Sequence, residues 1–123
     1  MIRLEIPFLP RPELNPNARV SPFKRAGAAA ELRKAAWALA YNQNPTHEVM
    51  FRKAKIHVRA IFPTAHFPDP DNFQAMLKPS LDGIVDAKIL ENDRIENVRY
   101  VQPFVYEISK REPRLILEIE EDI

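Results

Sequence analysis

Twelve prolines and only two glycines stand in a chain of 123 residues, where average usage would place roughly 6 and 9. Proline fixes its own φ, lacks an amide hydrogen and pushes the residue before it out of the helical region. Each one therefore marks a place where a regular element starts, bends or stops. Pro10, Pro12, Pro16 and Pro22 fall close together, Pro63, Pro68 and Pro70 form a second group, and Pro45 and Pro113 stand apart. Between them lie only a few stretches long enough for helix or strand, and the turns that join them must be proline turns.

Those stretches have distinct periods. Ile2, Leu4, Ile6 and Phe8 alternate with Arg3, Glu5 and Pro7, the period-two pattern of a half-buried strand, and Pro7 puts that strand at an edge or at its end. The four prolines from Leu9 to Phe23 predict an extended loop. Residues 26–43, AGAAAELRKAAWALAYNQ, form a strong helix segment with Leu32, Ala35 or Ala36, Leu39 and Ala40 at helical spacing, closed by Pro45. Ala54, Ile56, Val58, Ala60 and Phe62 alternate with Lys55, His57, Arg59 and Ile61 and predict a second strand. Phe73, Met76, Leu77, Leu81, Ile84 and Val85 predict a second helix over about 72–86, disturbed at Pro79. Two further strands are expected over about 99–108 and 114–120. The order β-α-β-α-β-β and a hydrophobic content of 46% predict one α+β domain over residues 1–123, a mixed sheet with two main helices on one face.

Composition narrows the function. The chain has no cysteine, which excludes a disulfide-stapled scaffold, a Cys-ligated zinc site and an iron–sulfur centre. Its N-terminus lacks the apolar core of a signal peptide, and no window approaches the roughly 18 apolar residues of a membrane span; a soluble cytoplasmic protein without a membrane partner is expected. The net charge of +1 hides an asymmetry. Residues 1–60 carry 11 Lys/Arg and 4 Asp/Glu (+7), and residues 61–123 carry 7 and 13 (−6). One half can attract a polyanion while the other can hold cations.

The acids concentrate between Asp69 and Asp93. In Asp69-Pro70-Asp71-Asn72 two carboxylates lie two apart in an extended or turn-like segment, where alternate side chains share a side and both can reach one cation. The competing account is a turn with Asp71 or Asn72 as a helix cap. A calcium loop starting at Asp69 fails, because its sixth position is Gln74 instead of Gly and its twelfth is Ser80 instead of Glu. Lys78 and Asp82 follow at a four-residue interval on one helix face, about two turns from Asp71, and Asp93 stands in a polar turn beyond the helix. Three carboxylates, Asp69, Asp71 and Asp93, drawn from a strand end, a helix start and a loop are what Mg²⁺ chemistry on phosphate requires, with a lysine at the edge to meet developing charge. Each residue alone also has an ordinary role, Lys78–Asp82 as a surface pair and Asp93 as a turn cap.

Asp69-Pro70-Asp71-Asn72-Phe73, Lys78-Pro79-Ser80-Leu81-Asp82-Gly83-Ile84 and Leu90-Glu91-Asn92-Asp93 together resemble the RusA family of Holliday junction resolvases, particularly its phage and prophage members. Pro7-Phe8-Leu9-Pro10 and the following Asn15 and Asn17 resemble that family's beginning. The resemblance implies a homodimeric, Mg²⁺-dependent endonuclease, with Mn²⁺ as a substitute, that nicks four-way DNA junctions symmetrically. It implies Asp69, Asp71 and Asp93 as metal ligands and Lys78 as the lysine needed for cleavage, with Asn72 and Asp82 in support. Two departures stand out. Lys78 comes seven residues after the second aspartate, where the family's best-known form has four, and Asn92 replaces the first of two adjacent aspartates.

Independently of the resemblance, paired nicks in a nearly two-fold junction call for a two-fold dimer, with Trp37, Tyr41, Phe67, Phe73 and Phe104 as interface candidates. Arg11, Arg19, Lys24, Arg25, Arg33, Lys34, Arg52 and Lys53 are the expected DNA-binding surface. His47, His57 and His66 lack metal-ligand spacing. The alternative function is a non-catalytic DNA-binding or assembly module in which the acidic segment is only a cap and a turn.

Overall fold

A computed structural model describes all 123 residues. Three strands make the antiparallel part of the sheet: β1 (Ile2–Ile6), β2 (Ala54–Phe62) and β5 (Arg114–Glu121). The last strand lies between the first two and is antiparallel to both. The register aligns the apolar positions in rows: Ile2, Ile119 and Ile56; Leu4, Leu117 and Val58; Ile6, Leu115 and Ala60. Because side chains alternate across a strand, these rows form one buried face.

The opposite face is charged, and the same register sets its partners. Arg3 lies 3.5 Å from Glu118, Lys55 3.4 Å from Glu120 and His57 3.0 Å from that same carboxylate. Hydrogen bonding from His57, then from Lys55, holds the Glu120 carboxyl below its usual range.

β3 (Val98–Tyr100) and β4 (Val105–Ile108) both pair with β2 in parallel, along the edge that β5 leaves free. The single strand expected over residues 99–108 is therefore two short ones in the same lane, interrupted at Gln102-Pro103 because Pro103 has no amide hydrogen to give to the ladder. A parallel pair needs a crossover between its strands, and here the helices α2 (Pro70–Met76) and α3 (Lys78–Asp86) provide it. The sheet is mixed and carries its helices on one face, so the expected α+β domain is what the chain forms.

Helix α1 (Pro22–Asn42) begins four residues before the expected start. Ser21 caps it, its Oγ accepting from the Lys24 amide at 3.2 Å, and Pro22 takes the first turn, where a missing amide hydrogen costs nothing. Ala28, Leu32, Ala36 and Ala40 form its buried row, small residues that admit a close neighbour. That neighbour is α3. A Cβ added at Gly83 would lie 2.3 Å from the Arg33 carbonyl oxygen and 2.9 Å from the Trp37 nitrogen, so the helices touch backbone to backbone there. Arg33 clamps the same crossing to Asp86 through two hydrogen bonds of 2.6 and 2.9 Å.

The second expected helix is broken at Leu77, two residues before Pro79. Pro79 cannot bond the Ala75 carbonyl and its ring would strike it, so the chain ends α2 and restarts, with Pro79 in the first turn of α3. No helix is long and apolar enough to cross a membrane.

Candidate active site

The restart at Leu77 determines where Lys78 points. It opens α3, is largely exposed, and its ammonium donates to Asp82 Oδ1 at 2.5 Å, one turn along the same helix, and to Asp93 Oδ2. Partial burial pulls the ammonium down, but the hydrogen bonds to Asp82 and Asp93 outweigh it and hold Lys78 above its ordinary value. The same contact, against a smaller opposing effect of burial, holds the Asp93 carboxyl below the usual carboxylate range. The shifted spacing therefore does not keep Lys78 from the acidic turn.

Asp93 is positioned by the chain that leaves α3. Lys88 adopts a left-handed conformation, φ 63°, and closes the helix: its amide bonds the Val85 carbonyl at 2.9 Å, and the Ile89 amide bonds the Ile84 carbonyl at 3.2 Å. That is the hydrogen-bond pattern of a helix stop that glycine usually supplies. Ile89 and Leu90 then bury completely, and the Met50 and Phe51 amides bond the Lys88 and Ile89 carbonyls, each at 3.0 Å. Beyond this anchor Asn92 Oδ1 accepts from the Arg94 amide at 3.0 Å. Asn92 thus shapes the turn that carries Asp93.

Lys78 borders an open cleft of about 580 Å³ lined by Asp71, Gln74, Ala75, Leu81 and Tyr100 as well. Tyr100, at the end of a parallel strand, and Gln74, held by Gln102 at 3.0 Å, were not singled out from the sequence. The signal that could have found Tyr100 is its place, since ligand sites in parallel sheets gather at the C-terminal ends of strands. Burial, with the charges of Asp82 and Asp93 adding to it, pushes the Tyr100 phenol far up, so it stays neutral and able to donate.

The expected pairing of Asp69 with Asp71 rests on one extended segment, and the structure divides that segment at Pro70: Asp69 stays in extended backbone just before α2, and Asp71 sits in its first turn. Asp71 lines the cleft. Asp69 precedes the helix, its carbonyl accepting from the Phe73 amide at 2.9 Å while its carboxylate makes no capping hydrogen bond. The helix starts before either Asp71 or Asn72, so neither is its cap. Asp69 instead acts on Tyr106, whose phenol is raised by burial first and by that charge second, and whose buried hydroxyl has no partner. Asn72 is half-buried. No three His, Asp or Glu side chains are close enough in this structure to share one ion; the space between Asp82 and Asp93 holds the Lys78 ammonium.

The basic residues divide. Arg11 lies within 3.5 Å of both Glu13 and Glu31, and Arg33 is committed to Asp86. Arg25 donates to the Asn15 and Ala18 carbonyls at 3.2 and 2.8 Å, tying the proline-rich loop to α1. Arg19, Lys24, Lys34, Arg52 and Lys53 are exposed and have no ion pair, as does Arg94, next to Asp93. Of the aromatic interface candidates, Phe73 is only 1% exposed and belongs to the core, while Trp37, Tyr41 and Phe67 are about two-fifths exposed. Compared with known proteins, the chain matches no family model and no curated sequence.

Proposed function

We propose that this protein is a Mg²⁺-dependent endonuclease that acts in the cytoplasm on branched DNA and resolves four-way junctions by paired nicks as a homodimer. The observation that carries the proposal is the meeting of Lys78, Asp82 and Asp93 beside a cleft lined by Asp71, residues that lie on three successive segments and belong to the motifs resembling the RusA family. The donor set fits a hard divalent cation. It consists of carboxylate oxygens, and Asp82 and Asp93 already close on a cation, the tethered Lys78 ammonium. Mg²⁺ is commonly held by one or two carboxylates, with waters and phosphate oxygens filling the other positions. Asp82 and Asp93 would hold it, with Asp71 facing the same cleft, and it would supply charge neutralisation at the scissile phosphate and a more acidic water.

The chain's own groups have separate tasks. Asp71 offers a carboxylate oxygen to take the proton of the attacking water. Lys78 presents positive charge to a phosphate oxygen as negative charge builds there. Tyr100, kept neutral, is a hydrogen-bond donor to the same group. The unpaired cations Arg19, Lys24, Lys34, Arg52 and Lys53 draw in the flanking phosphates, so binding should weaken steeply with salt.

Incubating the protein with a synthetic four-way junction or a matched linear duplex, with Mg²⁺ or with chelator, tests the proposal. Paired nicks confined to the junction with Mg²⁺ support it. Binding without cleavage under Mg²⁺ and Mn²⁺ alike replaces it with the second reading, a DNA-binding module without catalysis, which the internal neutralisation of Asp82 and Asp93 by Lys78 favours.

A further inference from the structure

We propose that Lys78 is a built-in counter-cation whose displacement makes binding of a divalent cation and binding of a DNA phosphate cooperative. The proposal rests on the nuclease reading above. Its basis is the position of the ammonium, which donates to Asp82 Oδ1 at 2.5 Å and to Asp93 Oδ2 at once. Asp82 and Asp93 come from different segments, and with Lys78 between them their charges do not repel each other across the cleft mouth.

A divalent ion seeking these oxygens has to sit about 2 Å from each, which is where the ammonium stands. Two cations cannot share that space, so the metal enters by exchange and its affinity is reduced by the cost of breaking both lysine contacts. The side chain is 55% exposed on a flexible four-carbon stem, and nothing else holds the ammonium. Once released it swings over the same cleft that Asp71 and Tyr100 line. An anion arriving there, the phosphodiester of the substrate, gives the freed charge a partner. Metal and phosphate therefore each remove part of the other's cost, and by linkage each raises the other's affinity by the same factor.

Binding of Mn²⁺ alone, followed by the loss of its free-ion EPR signal, tests the exchange without reference to catalysis. Lys78→Met removes the competing charge and should tighten Mn²⁺ at least about tenfold, while Lys78→Arg, which keeps the charge, should leave the weak wild-type affinity in place. Adding nicked duplex DNA with a 5′-phosphate, the expected product and not a substrate, should tighten Mn²⁺ on the wild type by a factor at least about fivefold larger than on Lys78→Met, where only direct contact of phosphate with the metal contributes. Equal Mn²⁺ affinity in wild type and Lys78→Met, or the same DNA-linked gain in both, overturns the counter-cation proposal and leaves the nuclease reading standing. Absence of Mn²⁺ binding by either protein, with or without DNA, overturns both.

Discussion

The backbones of α1 and α3 touch at Gly83, and replacing it with alanine gives a sharp stability prediction. The new Cβ would meet the Arg33 carbonyl oxygen at 2.3 Å, against 3.4 Å for the near edge of ordinary contact, so α1 and α3 must part locally by about 1 Å. Neither obstacle is a side-chain tip that can rotate away, since the oxygen and the Trp37 nitrogen are both backbone. Overpacking of this kind costs about 1–3 kcal/mol, and a gap of 0.5–1 Å along the rest of the crossing forfeits a quarter to a half of each dispersion contact, so a total near 3–4 kcal/mol is reasonable. Alanine's better helix propensity returns about 1 kcal/mol, leaving a net loss of about 2–3. At roughly 2.1 cal/mol/K per residue the unfolding entropy of this chain is about 0.26 kcal/mol/K, so Tm should fall by about 8–12 °C. Gly27 supplies the control, for it lies in the same helix system with nothing within 4 Å of an added Cβ. Gly27→Ala should raise Tm by up to about 4 °C. Scanning calorimetry on the two variants reads both numbers, and a Gly83→Ala protein that melts at or above the wild type would refute the account of the α1–α3 crossing.

Asp71→Asn should abolish junction cleavage while binding stays equal or tightens, because a charge that repels phosphate has been removed from the cleft; gel-shift and nicking assays read the two separately, and wild-type cleavage by this variant contradicts the role given to Asp71. Lys88→Gly should stabilise the protein by about 0.5–1 kcal/mol in urea unfolding, since glycine occupies φ 63° without a Cβ penalty; a loss of stability would show that the Lys88 side chain matters more than its backbone. Hydrogen bonding from Arg33 holds Asp86 below its ordinary 3.8 despite partial burial. A depressed folded value gives stability that is complete above about pH 5 and is lost as pH falls below 3.8 and through the lower folded value. The Tm gap between wild type and Arg33→Met should therefore shrink on acidification through that range, and a constant gap would assign Arg33 to packing alone.

Strand and helix positions were legible because they depend on local pattern. The alternation in Ile2–Ile6 is unchanged in the structure and that in Ala54–Phe62 holds as far as Ala60, beyond which Ile61 is buried as well, and Ser21-Pro22 was a helix start whose signal was present in the sequence even though the expected start lay at Ala26. The helix break was legible in kind but misplaced by two residues, since Pro79 acts on the carbonyl four positions earlier and not on its own site. The single strand over 99–108 failed at Pro103 for a related reason, the missing amide hydrogen.

The site divides along the same line. Sequence alone supplied its residue types: a run of carboxylates with one lysine, no cysteine, and basic residues concentrated in the other half. It also determined that Lys78 and Asp82 would share a helix face, because a four-residue interval does that in any helix. Which carboxylates meet depended on geometry between distant segments. Onset of helix at Pro70 put Asp71 into α2 and left Asp69 outside it, and the helix stop at Lys88, anchored on Phe51, brought Asp93 back to Lys78 across 15 residues. Insertion of β5 between β1 and β2 left β2 with one free edge for Tyr100. Local pattern is set by each residue and its near neighbours; the convergence of Lys78, Asp82 and Asp93 required the packing of the whole chain, which no short window of sequence contains.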